Sequence, residues 1–119
     1  MLFRSGLHRR WEMVSLELER VKAIKTALGG TVNDVLLAVV AGALRTLLQQ
    51  RGEKPPATVR ALIPVSLRSG DSAGELGNRV TAVLCALPVG KADPRERLEV
   101  VKREMTALKD SGQAVGALA

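Results

Sequence analysis

The stretch Thr31-Val32-Asn33-Asp34-Val35-Leu36-Leu37-Ala38-Val39-Val40-Ala41-Gly42-Ala43-Leu44, running on to about Arg51, decides how the rest of the chain is read. Gly29-Gly30 stops the segment before it, Thr31 is a good N-cap, and Asp34 stands three residues on. That is the T-x-x-D form of a capping box, in which two side chains satisfy backbone N–H groups that have no helical partner. Asp34 also sets negative charge against the positive end of the helix dipole. The pattern predicts one long helix from residue 32. At about 100° per residue, Leu36, Val40, Leu44 and Leu47 form an apolar stripe flanked by Leu37 and Leu48. Asn33 falls on this stripe. Left unsatisfied in a buried setting, its amide would cost about 1–3 kcal/mol, so it should tie down a neighbouring segment or face a polar cavity. The first half of the helix (Val35, Ala38, Val39, Ala41, Gly42) is apolar or small all round and is expected to be enclosed, whereas Arg45, Thr46, Gln49 and Gln50 bring the second half to the surface on one side.

Working outward, residues 18–28 show helical spacing through Val21, Ile24 and Leu28, with Glu19, Lys22 and Lys25 outward. Before them, residues 9–16 alternate well enough for a strand, with Trp11 and Met13 on one face and Val14 and Leu16 on the other. After the long helix, Gly52-Glu53-Lys54-Pro55-Pro56 is a loop. Residues 58–68 form a second expected strand, with Val59, Ala61, Ile63, Val65 and Leu67 on one face and Leu62 opposite. Pro64 has no N–H to give to a ladder, which places that strand at an edge or at a bulge. Residues 79–89 make a third expected strand, apolar on both faces, of the kind found in the middle of a covered sheet. Asp93-Pro94 starts a last helix as N-cap and first residue. Its inner face is Leu98, Val101, Met105 and Leu108, and Glu99 is placed to pair with Arg103.

The 119 residues contain one Trp, one Phe and no Tyr, so the core must be aliphatic. A net charge of +6 permits anionic partners. Nucleic-acid modules add stacking aromatics or a recognisable groove-reading element, and neither is visible, so the charge is assigned to solvated helix faces and nucleic acid is not expected. Cys85, the single cysteine, lies in an apolar strand and is expected to pack rather than react. The longest apolar run, residues 35–44, is about half of a membrane span, and the opening residues lack the apolar core of a secretory signal. The chain has no C-x-x-C, no H-E-x-x-H, no acidic metal cluster and no phosphate-cradling Gly-rich loop, so no metal site is expected. His8, the sole histidine, sits among arginines as an ordinary surface residue. The element order β-α-α-β-β-α gives an α/β (α+β) class. Its two-sided apolar strand and enclosed helix need more covering layers than the chain holds, so residues 1–119 look like one incomplete domain.

Three blocks in order carry a resemblance: Ser5-Gly6-Leu7-His8-Arg9-Arg10, then Gly30-Thr31-Val32-Asn33-Asp34-Val35 with Ala41-Gly42-Ala43-Leu44-Arg45, then Pro64-Val65-Ser66-Leu67-Arg68 followed by Leu76-Gly77-Asn78-Arg79. Together they resemble the bacterial wax ester synthase/diacylglycerol acyltransferase family. The resemblance implies part of a chloramphenicol-acetyltransferase-like fold, and transfer of an acyl group from acyl-CoA, the co-substrate, to a long-chain alcohol or diacylglycerol. It implies no bound cofactor. In that family the base is the second His of an H-H-x-x-x-D-G motif, which this chain lacks, so no catalytic residue is assigned here. The Asn-Asp pair of the family falls on Asn33 and Asp34, expected to support the acyl and acceptor channel, with Ser66, Arg68 and Asn78 as further support. The implied partners are the lipid substrates and the missing catalytic half, in the cytoplasm and at most peripheral to the inner membrane or lipid inclusions. The competing readings are a non-catalytic remnant that binds lipid or protein, and a condensation-type domain acting on carrier-protein thioesters, which rests on fold analogy alone.

Overall fold

The structure is a computed structural model and describes residues 9–66 and 80–111. Its elements are α1 (Leu18–Leu28), α2 (Val32–Gln50), β1 (Val59–Ser66), β2 (Val80–Leu87) and α3 (Pro94–Asp110). This is a mixed α/β arrangement. The three helices and the hairpin begin and end within a residue or two of where sequence spacing places them.

Local chemistry sets those boundaries. Gly29 and Gly30 take φ of 86° and 94°, a region closed to most side chains, and so turn α1 directly into α2. The Gly29 N–H closes α1 on the Lys25 carbonyl at 2.7 Å. The capping box of α2 is complete: the Thr31 N–H donates to Asp34 Oδ2 at 3.0 Å and the Asp34 N–H donates to Thr31 Oγ1 at 3.1 Å. At α3, Asp93 accepts from the Arg95 N–H at 2.9 Å, with Pro94 as first residue.

β1 and β2 pair antiparallel from Val59↔Leu87 to Ser66↔Val80. Period-2 alternation puts Val83, Cys85 and Leu87 with Ile63 on the face that packs under α2 and α3. Leu87, Val89, Val101 and Cys85 are the largest fully buried side chains among the described residues. A second cluster joins the helices through Val21, Val35 and Leu98. The loop after β2 returns to the base of the hairpin, where the Gly90 N–H meets the Ala57 carbonyl at 3.0 Å. A Cβ on Gly90 would stand 2.8 Å from Ala57 Cα, so only glycine allows that approach.

Four expectations fail. Residues 9–16 form no strand, because no neighbour among the described residues offers them a ladder, and Trp11, Met13 and Val14 stand 77%, 75% and 80% exposed. β2 is not central: among the described residues the sheet has two strands, and Leu62 and Leu84 lie on its open face. Pro64 accordingly sits in an edge strand, opposite Ala82. α2 buries a different arc from the expected stripe. Asp34, Val35 and Ala41 are buried, with Leu37, Ala38 and Leu44 half-buried, while Leu36, Val39, Val40 and Leu47 are exposed. The cause is placement: α1, α3 and β2 all pack on one side of α2. Finally, Glu99 pairs at i,i+3 with Lys102, at 2.7 Å, rather than with Arg103.

Candidate functional site

The Asn33-Asp34 pair opens α2, with Asp34 buried and Asn33 exposed. Asp34 is 7% exposed and spends its carboxylate on the capping box. Asn33 is exposed, contrary to the buried position expected of it, because it belongs to the uncovered arc of α2. The pair thus separates into an inward residue that shapes the turn and an outward amide that the turn presents.

Lys102 holds this turn from α3. Its Nζ donates to the Leu28 carbonyl at 2.8 Å, satisfying an orphan acceptor at the negative end of α1, and to Glu99 Oε2 at 2.7 Å. A Cβ on Gly30 would meet Lys102 Cδ at 2.9 Å and Asp34 Oδ2 at 3.0 Å, so the glycine turn and the lysine stem lie one on the other. Sequence reasoning passed over Lys102, although a signal existed. It stands one helical turn after Leu98 and one before Met105, a cation on the apolar face of α3.

Two arginines tie down the loop between β2 and α3. Arg45 Nη1 donates to the Val89 and Gly90 carbonyls, both at 3.1 Å. Arg97 Nη1 donates to those of Lys91 and Ala92, at 2.8 and 3.0 Å, and its Nε is buried without a hydrogen-bond partner. Beside Arg97 lies a largely apolar cavity of about 230 Å³ between the helices, lined by Ile24, Leu28, Val35, Val39 and Leu98 with Arg95 and Arg97.

Of the other expected site residues, Ser66 ends β1 opposite Val80. Arg68, Asn78 and His8 lie outside the described residues. Cys85 is fully buried, and burial first, then the negative charges of Glu104 and Asp34, push its thiol up to about 11. It is a packed thiol at neutral pH, not a nucleophile.

The family model of the wax ester synthase/diacylglycerol acyltransferase catalytic domain matches residues 2–36, and that of the WS/DGAT C-terminal domain matches residues 76–119. A Mycobacterium tuberculosis protein bearing the name probable diacylglycerol O-acyltransferase tgs2 is 43% identical over 104 residues, 87% of this chain and 23% of that protein. The O-acyltransferase WSD of Acinetobacter baylyi is 39% identical over 97 residues, 82% of this chain and 21% of that protein. The chain belongs to the wax ester synthase/diacylglycerol acyltransferase family. It spans less than a quarter of the length of these relatives. On this WS/DGAT chain the two matched regions meet at the site: Leu28 and Val35 belong to the first, Lys102 and Leu98 to the second. The Asn33-Asp34 turn is therefore built where catalytic-domain and C-terminal-domain sequence pack together.

Proposed function

We propose that this chain is part of an acyl-CoA-dependent O-acyltransferase that makes triacylglycerols or wax esters, and that the Asn33 face of α2 forms one wall of its acyl and acceptor channel. Membership of the family and the names of the relatives support the activity. The observation that carries the channel assignment is the exposed Asn33 amide on a face of α2 that is otherwise apolar, held in place by the inward Asp34. An apolar wall with a single amide suits a long acyl chain ending in one polar group. On this reading the complete fold is chloramphenicol-acetyltransferase-like. Diacylglycerol or a long-chain alcohol is the acceptor, and the assembled protein works in the cytoplasm, peripheral to a membrane or lipid inclusion.

The reaction moves an acyl group from a thioester to a hydroxyl. A base takes the hydroxyl proton, the alkoxide oxygen attacks the thioester carbonyl, and coenzyme A leaves with the proton as a free thiol. With one His, outside any H-H-x-x-x-D-G motif, this chain brings no such base and contributes positioning. The test is release of free coenzyme A from palmitoyl-CoA with hexadecanol or a diacylglycerol. It is run on this chain alone and again with an upstream portion that carries the motif. Turnover only in the mixture is expected. Turnover by the chain alone, or silence from halves shown to associate, would sink the proposal. The apolar cavity beside Arg97 favours one alternative, a non-catalytic lipid-binding remnant; it would be preferred if the mixture stayed silent while the chain alone bound a fluorescent fatty acid.

A further inference from the structure

α1 and α2 meet at Gly29 and Gly30, the residue type that least restrains its own backbone. The bonds nearest this turn fasten each helix to itself. The Gly29 N–H closes α1 on the Lys25 carbonyl, and Thr31 and Asp34 exchange two hydrogen bonds within the start of α2. None of these three bonds sets one helix against the other. A tie between them comes from α3, where Lys102 Nζ reaches the Leu28 carbonyl across 74 residues of sequence. The rest of that side chain lies along both glycines. A Cβ on Gly29 would stand 3.3 Å from Nζ, and one on Gly30 would stand 2.9 Å from Cδ and 3.1 Å from Cγ. The capping carboxylate of Asp34 packs on the same Gly30, 3.0 Å from that Cβ position, and Asn33 is the residue beside it. Only 24% of the Lys102 side chain is exposed. Lysine is seldom covered to this degree without acceptors to hold its ammonium, and here it has two, the Leu28 carbonyl and Glu99.

We infer that Lys102 is a positioning residue for the acyl transfer: bonded to the Leu28 carbonyl, it fixes the Gly29-Gly30 turn and, through it, the place at which α2 presents the Asn33 amide. The inference rests on the channel reading above. It gives C-terminal-domain sequence a part in a site whose Asn-Asp pair lies in the catalytic-domain match, since Lys102 falls within residues 76–119 and Leu28, Gly30 and Asn33 within residues 2–36. Lys102 does not touch the substrates on this reading and works through Asn33. The effect can be large, because a group displaced by about 1 Å from its productive place costs up to about 100-fold in rate. An anion-binding role for the ammonium is weaker: the Glu99 carboxylate already stands 2.7 Å from Nζ. A role as general base is weaker too, because Nζ spends its protons on a carbonyl and a carboxylate of its own chain.

The test is a double-mutant cycle read in activity. Coenzyme A release from palmitoyl-CoA is measured on this chain in complex with the upstream portion that carries the H-H-x-x-x-D-G motif. The parent, Lys102→Met, Asn33→Ala and the pair are compared, each well below its Tm. Lys102→Met alone should lower kcat/KM by about 10–100-fold. In the Asn33→Ala background the same substitution should cost less than about 2-fold, because the group it positions is gone. A purely structural lysine predicts otherwise: the same loss in both backgrounds, or none in either. Leu108→Ala, half-buried further along α3, is the control; it should lower Tm comparably and leave kcat/KM within about 2-fold of the parent. On the chain alone, the Asn33 backbone and side-chain amide signals in 15N–1H correlation spectra should move in Lys102→Met and hold in Leu108→Ala. Equal losses in the two backgrounds, Asn33 signals that stay in place, or a Leu108→Ala defect as large as that of Lys102→Met would overturn the inference. Failure of the two readings is distinguishable. Full activity in Asn33→Ala retires the channel wall and the inference with it, whereas an impaired Asn33→Ala on which Lys102→Met still exacts its whole factor retires the positioning role and keeps the channel.

Discussion

Substitutions at the start of α2 should separate a structural residue from a presented one. Asp34→Ala removes the acceptor 3.0 Å from the Thr31 N–H and leaves the positive end of the helix dipole uncompensated. A hydrogen bond to a charged group contributes about 1.5–3 kcal/mol when buried, but Thr31 is exposed and water can reach its N–H, so the lower end applies. With about 0.5 kcal/mol from the dipole, the expected loss is about 2 kcal/mol. For a domain of this size that lowers Tm by about 8–16 °C. Thr31→Ala should cost about 1 kcal/mol, the usual value of an N-cap. Because the two bonds are reciprocal, the double variant should lose less than the sum of the singles. Asn33→Ala should stay within about 0.5 kcal/mol of the parent, as exposed substitutions do. The assay is urea and thermal unfolding followed by circular dichroism at 222 nm, with coenzyme A release measured on the reconstituted halves. Asn33→Ala should then lose activity with stability intact, and Asp34→Ala should lose stability first. An Asp34→Ala chain as stable as the parent, or an Asn33→Ala chain more than about 1 kcal/mol less stable, would refute the division of roles.

Three further outcomes follow from the packing. Lys102→Met should cost about 1–2 kcal/mol and speed hydrogen exchange at the end of α1 and the Gly29-Gly30 turn, because the Leu28 carbonyl loses its charged donor; unchanged exchange there would count against Lys102 holding the turn. Leu87→Ala, on the buried face of the hairpin, should cost about 2–5 kcal/mol in urea unfolding, whereas Leu62→Ser on the open face should cost under about 0.5 kcal/mol. Cys85 ionises less readily folded than unfolded, so its burial contributes stability that is fully present below pH 9.0 and is lost as pH rises towards about 11. At pH 8 its reaction with Ellman's reagent should wait on unfolding, and prompt labelling of the folded chain would contradict that burial.

What was legible in the sequence divides by the range of the interactions. The capping box of Thr31 and Asp34, the Gly29-Gly30 turn and the Asp93-Pro94 start are settled by bonds across three or four residues, and each stands where the letters put it. The hairpin followed from alternation, which two strands can satisfy for one another. The failures lie where one element needs a partner elsewhere. Residues 9–16 carry a strand's pattern without a strand's neighbour among the described residues. In α2 the spacing predicts the stripe with the largest side chains, Leu36, Val40 and Leu47, as the inner face, yet the chain closes on Val35, Ala38 and Ala41. The small residues of that arc let α3 and β2 come close, so the wider apolar stripe is left outside. Hydrophobicity ranks faces by what they would gain from cover and says nothing of which cover comes from within the same piece of chain. A helix apolar on both sides asks for two covers, and the described residues supply one. The two residues of the Asn33-Asp34 pair divide in the same way: the aspartate's partner is three residues away and legible, and the asparagine stands on a face that none of the described elements covers.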